Sequence, residues 1–156
     1  MRFLGNIEAK IDSKGRVFLP AAFRKVLQAS GESGLVMRKD VFHPCLVLYP
    51  ESVWNAQMDA VRSQLDLWDA EQNTIYRQFV SDVELVTLDS NGRFLIGKRY
   101  LKLANIEQDI RFIGMGQTIE IWSTANTEKP FMAPEMFGKK ISQLMRKHAE
   151  ANPTEA

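Results

Sequence analysis

The sequence predicts an α+β fold, mainly β, built twice within one chain about a pseudo-two-fold axis. Three observations carry this. The turn Asp-Ser-Lys-Gly-Arg at Asp12 returns as Asp-Ser-Asn-Gly-Arg at Asp89, 77 positions later. Residues on either side of each turn alternate apolar and polar with the period of a half-buried strand. Outside the two copies, three segments carry apolar residues at helical spacing instead.

The first copy reads as strand, turn, strand, short helix and two more strands. In NIEAKID, Ile7, Ala9 and Ile11 alternate with Glu8, Lys10 and Asp12. Asp12 can accept bonds from the amides just ahead of it, and Gly15 tolerates a positive φ. Val17 and Leu19 continue the apolar face, while Arg16 and Phe18 point the other way. Pro20 suits a helix start, and AAFRKVLQAS carries Phe23, Val26 and Leu27 before Gly31 ends the helix. Leu35-Val36-Met37 and Cys45–Tyr49 close the unit as strands.

The second copy follows in the same order. Ala9 and Ile11 fall on Val86 and Leu88, Phe23 on Tyr100, Lys25 on Lys102 and Val26 on Leu103. CLVLYPESVW matches TIEIWSTANT once a gap of four residues is allowed. A hairpin unit of this size cannot bury both of its faces alone, so two interlocked copies sharing one core are expected. The organisation is a first repeat over 7–54, a helical insert over 55–82, a second repeat over 83–126, a C-terminal helix over 127–150 and a flexible tail over 151–156. In the insert, Trp54, Met58, Val61 and Leu65 form one stripe, and Ile75, Tyr76, Phe79 and Val80 another. Phe137, Ile141, Leu144, Met145 and His148 form a third, expected to pack on the domain or on a neighbouring subunit.

Composition narrows the function. The chain of 156 residues is 45% hydrophobic and 25% charged, ordinary for a soluble protein. No run approaches the roughly 18 apolar residues of a membrane span, and MRFLGNIEAK lacks the apolar stretch of a signal peptide. A cytoplasmic protein without a membrane partner is expected. The single cysteine, Cys45, lies two residues from His43, but the other histidine is His148, and a structural zinc site takes about four ligands. Cys45 therefore reads as a buried thiol, and neither a metal nor another cofactor is expected. The chain lacks a His within a Ser or Cys constellation, a phosphate-cradling glycine loop and an H-E-x-x-H helix. Asp12 and Asp89 each sit beside an arginine that keeps them ionised, so they make a poor catalytic pair. We expect no enzyme and no catalytic residue.

The net charge of +1 hides a segregated distribution. Residues 10–39 hold seven Lys or Arg against Asp12 and Glu32, and residues 93–111 hold five against two acids. Residues 51–89 hold only Arg62 and Arg77 against eight acids. Arginine presents a planar fork able to bond guanine O6 and N7 together, and lysine suits phosphate. Arg16 and Arg93 are thereby able to read bases and Lys14 to contact phosphate, although one copy alone favours an arginine that closes its own hairpin against the neighbouring Asp. Asp12 and Asp89 become organisers of the turns.

Asp-x-x-Gly-Arg followed by Leu-Pro and a short helix, duplicated with helical inserts, resembles the MraZ family of transcriptional regulators within the SpoVT/AbrB swapped-hairpin DNA-binding superfamily. The resemblance runs from about Phe3 to Trp122 and is strongest in DSKGRVFLPAAFR. It implies a swapped-hairpin, double-psi-like small barrel in which the two repeats are SpoVT-AbrB units. It also implies a nucleoid-associated regulator that recognises tandem direct repeats in duplex DNA upstream of cell-division and cell-wall genes. Such proteins assemble with themselves into rings, typically octamers, and present their D-x-x-x-R turns on one face; carried onto this chain, the resemblance implies that Lys14, Gly15, Arg16 and Arg93 bind DNA in turns organised by Asp12 and Asp89. The stripes around Trp54, Trp68 and Phe137 are candidates for the ring contacts. Two departures mark the second copy: Asn91 stands where a long or charged residue is usual, and Gly97 where a proline is expected. The first lowers the charge of the second turn, and the second is expected to loosen its helix start. The alternative reading is a protein-binding or antitoxin-like module on the same fold. Antitoxins of the superfamily, however, commonly pair one hairpin copy with an extended tail.

Overall fold

The computed structural model describes residues 1–32, 34–126 and 129–152. The first copy comprises β1 (Asn6–Lys10), β2 (Arg16–Phe18), α1 (Ala21–Ala29), β3 (Leu35–Lys39) and β4 (Leu46–Pro50). The insert is α2 (Glu51–Ser63) and α3 (Ala70–Ser81). The second copy repeats the order as β5 (Glu84–Val86), β6 (Arg93–Leu95), α4 (Lys98–Leu103), β7 (Asp109–Gly114) and β8 (Ile119–Ser123). These elements form one compact unit over Met1–Asn126, and α5 (Pro134–Ala151) belongs to a second. No helix among the described residues is long and apolar enough to cross a membrane.

The strands make a six-stranded antiparallel sheet in the order β1-β7-β8-β4-β3-β5, and a separate two-stranded ribbon of β2 and β6. The order is unchanged when the copies are exchanged, because each copy's first strand pairs with the other copy's third. Two ladders fix the axis. Val17 lies opposite its own counterpart Phe94, and Val47 lies opposite its counterpart Glu120. The expected small barrel is corrected here. The sheet stays open, with β1 and β5 as its edges, since β2 and β6 pair only with each other over three residues.

Alternation along each strand explains the core. Val17, Leu19, Phe94 and Ile96 are buried, while Phe18 and Leu95 between them are exposed. Phe23 and Tyr100 enter the same core from α1 and α4, and Leu46, Leu48, Ile119 and Ile121 line it from the paired central strands. Neither copy could close this cluster alone. Phe3 seals it edge-to-face against Phe23, with ring centroids 5.7 Å apart.

The helix at each copy's turn begins in the same register. Pro20 precedes α1 at φ −51°, ψ 139°, and Gly97 precedes α4 at φ −64°, ψ 152°. Glycine thus adopts the conformation that proline would impose, and the start of α4 is not displaced. The helix is shorter, six residues against nine.

Of the two predicted stripes in the insert, Trp54 is buried, Met58, Val61, Tyr76, Phe79 and Val80 are half-buried, and Leu65, also half-buried, lies beyond the end of α2. Trp54 is buried against Tyr49 and stacks on Phe79 at 5.2 Å, so it is removed from the candidate ring contacts. Ile75 is exposed, as is Trp68 in the connection between α2 and α3, at 98%. Arg38 of β3 is the unforeseen member of this layer. It donates from Nη1 to the Phe79 carbonyl in the last turn of α3 (3.2 Å) and lies 4.6 Å over the Phe79 ring. A cation suits that helix end. Cys45 is fully buried, and burial pushes its thiol pKa up; His43 instead turns its Nδ1 to Asp40 Oδ2 at 3.2 Å.

Helix α5, taken by itself, is amphipathic, with Pro134 in its first turn. Phe137, Ile141, Leu144 and Met145 are exposed along it. Of the expected tail, Ala151 ends α5 and Asn152 donates to the His148 carbonyl at 2.9 Å; 153–156 lie outside the described residues.

Candidate nucleic-acid interface

Both copies of the repeated turn fold by the same set of bonds. Asp12 Oδ1 accepts from the amides of Lys14 (2.9 Å) and Arg16 (2.8 Å), and its own N–H donates to the Arg16 carbonyl at 2.9 Å. Asp89 Oδ1 accepts from Asn91 and Arg93, both at 2.9 Å, and its N–H donates to the Arg93 carbonyl at 2.8 Å. Gly15 and Gly92 close the turns at φ +87° and +81°. Each carboxyl is held below the ordinary carboxylate value. For Asp12 the Arg16 amide is the largest cause, followed among those that lower it by the Lys14 amide and the charges of Arg16 and Arg93. For Asp89 the Arg93 amide leads, then the Asn91 amide and the Arg93 side chain.

The turns are locked to each other. The Gly15 carbonyl accepts from Ile96 N–H at 2.8 Å, and the Gly92 carbonyl from Leu19 N–H at 3.0 Å. Gly15, expected among the contact residues, is buried, and its N–H is also engaged, donating to the Asp12 carbonyl at 3.1 Å. It shapes the loop and offers no free group outward.

Because β2 and β6 are antiparallel, directly opposed residues share a face. Arg16 lies opposite Leu95 and Phe18 opposite Arg93, so all four side chains leave the ribbon on its outer side. Two residues of rise and one interstrand spacing put the arginine Cα atoms about 8 Å apart, diagonally. Lys14 is exposed at the tip of the first turn. The structure therefore brings Arg16 and Arg93 to one face of the ribbon and places Lys14, Asp12 and Asp89 in the exposed turns that precede them.

The arginines are not equivalent. Arg93 donates from Nε to Asp89 Oδ2 at 3.0 Å and stands 5.8 Å over the Phe18 ring. Arg16 makes no side-chain hydrogen bond or ion pair with a described residue and is exposed. Its ribbon neighbour is Leu95, which has no aromatic face to offer. Sequence reasoning missed Arg24 of α1, whose Nη1 reaches the Asn91 carbonyl at 3.5 Å. Its signal was an asymmetry: the position matching Arg24 in the second copy is Leu101.

Known proteins share this arrangement of sequence. The family described as "MraZ protein, putative antitoxin-like" matches residues 2–78 and again residues 79–133. The chain belongs to the MraZ family. A protein of Phocaeicola vulgatus named transcriptional regulator MraZ is 62% identical over 145 residues, 93% of this chain and 94% of that one. The protein of the same name from Bacteroides thetaiotaomicron is 59% identical over 93% of both chains. That of Bacteroides fragilis (strain ATCC 25285) is 54% identical over 99% of this chain and 98% of its own. The MraZ family is one of transcriptional regulators and not of enzymes.

Proposed function

We propose that the chain is a sequence-specific DNA-binding transcriptional regulator whose β2–β6 ribbon docks in the major groove. The observation that carries this is the diagonal pair of arginines on the exposed face of a two-stranded ribbon. A groove about 12 Å wide admits such a ribbon, and a separation of about 8 Å spans roughly two base-pair steps of 3.4 Å. Arg16, which makes no side-chain hydrogen bond or ion pair with a described residue, reads guanine through its fork. Lys14 contacts phosphate. Asp12 and Asp89 hold the turns by their amide bonds, so little loop entropy remains to be lost on docking, and Gly15 permits the bend. Arg93 starts from a paired state and must leave or share Asp89 to bond a base.

The exchange of first strands between copies is read as the swapped-hairpin arrangement of the SpoVT/AbrB superfamily. One ribbon covers a short site. Recognition of tandem direct repeats upstream of cell-division and cell-wall genes therefore needs several chains in fixed register. A ring-like homo-oligomer, an octamer in our reading, supplies that register and multiplies affinity by effective concentration. The exposed apolar residues of α5 and Trp68 support such self-assembly. A cytoplasmic, nucleoid-associated location follows from the same role.

Footprinting of the purified protein on genomic DNA tests the reading. Protected arrays of short direct repeats are expected, with affinity falling steeply as salt rises. Light scattering that finds only monomer, with equal affinity for one repeat and several, defeats the ring. A second reading, an antitoxin-like protein-binding module, is favoured by the wording of the family description and by the exposed face of α5. It predicts a protein partner and no salt-dependent DNA affinity.

A further inference from the structure

The second turn lacks the cation that Lys14 brings to the first, because Asn91 stands in its place. Arg24 occupies the gap from the other copy. It projects from α1, in the first repeat, onto the backbone of the turn in the second. Nη1 donates to the Asn91 carbonyl at 3.5 Å, and the side chain covers Gly92 so closely that a Cβ there would strike the guanidinium and come within 2.8 Å of Cδ. Nε is buried with no hydrogen-bond partner, whereas Nη2 is not among the buried unpartnered atoms. An arginine that leaves one donor buried and unsatisfied is retained at a cost. The relation is one-sided. Leu101, at the matching position of α4, packs against the core, and the first turn is covered instead by the Ile96 carbonyl.

We infer that Arg24 is the phosphate-contacting and positioning residue of the second turn, delivered across the boundary between the copies to replace the charge that Asn91 does not carry. The inference rests on the DNA-binding reading of the ribbon. Its bond to the Asn91 carbonyl sets the turn, and Nη2, which makes no hydrogen bond to a described residue, takes the phosphate. Each turn then presents two cations, Lys14 with Arg16 and Arg24 with Arg93, despite the departure at Asn91. Phosphate contacts fix register without reading sequence, so Arg24 adds affinity on any duplex.

The test measures binding of the full chain to a mixed-sequence duplex by fluorescence anisotropy across a salt series. Arg24→Gln is expected to reduce the slope of log K against log salt by about 0.9 for each second turn docked. Arg24→Lys keeps the charge and should keep most of the slope. Asn91→Lys in the Arg24→Gln background should restore it, which a purely structural role for Arg24 does not allow. Thermal melts by circular dichroism check that each variant is folded. A slope unchanged in Arg24→Gln overturns the inference, as does a loss that Asn91→Lys fails to recover. No salt-dependent binding by the unaltered protein overturns the DNA reading itself and this inference with it.

Discussion

Replacing Gly15 by alanine tests the interlocking of the two turns. Gly15 sits at φ +87°, and Gly31, at the end of α1, at φ +73°. Either position strains an L residue by about 1–2 kcal/mol. Alanine's smaller unfolded-state entropy returns about 0.4–1 kcal/mol at both, so that contribution cancels in the comparison. The neighbours differ. A Cβ on Gly31 meets nothing within 4 Å, whereas on Gly15 it falls 2.8 Å from the Ile96 carbonyl oxygen. That oxygen belongs to the backbone of the opposite copy, and relieving the contact stretches the 2.8 Å bond from Ile96 N–H to the Gly15 carbonyl. Loss of such a bond adds about 1 kcal/mol. Gly31→Ala should therefore cost about 1 kcal/mol and Gly15→Ala about 2–3 kcal/mol, the latter lowering Tm by roughly 4–12 °C in a chain of this size. Gly92→Ala should fall between them, because the atom displaced is the flexible Arg24 side chain. Urea unfolding at one fixed protein concentration measures all three. If Gly15→Ala proves no worse than Gly31→Ala, the two turns are not locked through their backbones as described.

Three further outcomes are expected. Arg16→Ala should remove about 1–3 kcal/mol of specific binding per docked turn, and Arg93→Ala less, because Arg93 already pairs with Asp89; gel-shift titration on a footprinted site compares them, and equal losses would refute the inequality. Asp12 and Asp89 have folded pKa values below the ordinary one, so their contribution to stability is complete above about pH 4 and fades as pH falls through the folded values. Asp12→Asn and Asp89→Asn should accordingly flatten the acid limb of the urea midpoint between about pH 5 and 2, and an unchanged limb would count against the turn bonds. Cys45, fully buried and with its thiol pKa raised by that burial, should resist a thiol reagent at neutral pH and react at once in denaturant; fast labelling of the folded protein would contradict its place in the core.

Much of this molecule is local in origin and therefore legible in the sequence. The Asp-Ser-x-Gly-Arg turn closes through bonds spanning two to four residues, and the alternation that buries Val17 and Leu19 while exposing Phe18 needs only the strand period. The repeat, the element order and the side of α2 that carries the buried Trp54 with the half-buried Met58 and Val61 follow from the same short-range rules. Pairing does not. Whether β1 joins its own copy or lies against β7, about a hundred residues away, depends on which arrangement buries both apolar faces at once, a property of the assembled chain. The open sheet in place of a barrel is decided the same way, by a three-residue ribbon that finds no partner beyond itself. Trp54 disappears beneath Phe79 and Arg38 because an insert helix folds back on the sheet, which a stripe of apolar residues cannot distinguish from a subunit contact. The two arginines look alike in the sequence, yet Arg93 is paired and stacked while Arg16 makes no side-chain hydrogen bond or ion pair with a described residue, and Arg24 reaches a turn 67 residues away. Periodicity specifies which face of an element is apolar; only the packed structure determines what that face, or a charge beside it, meets.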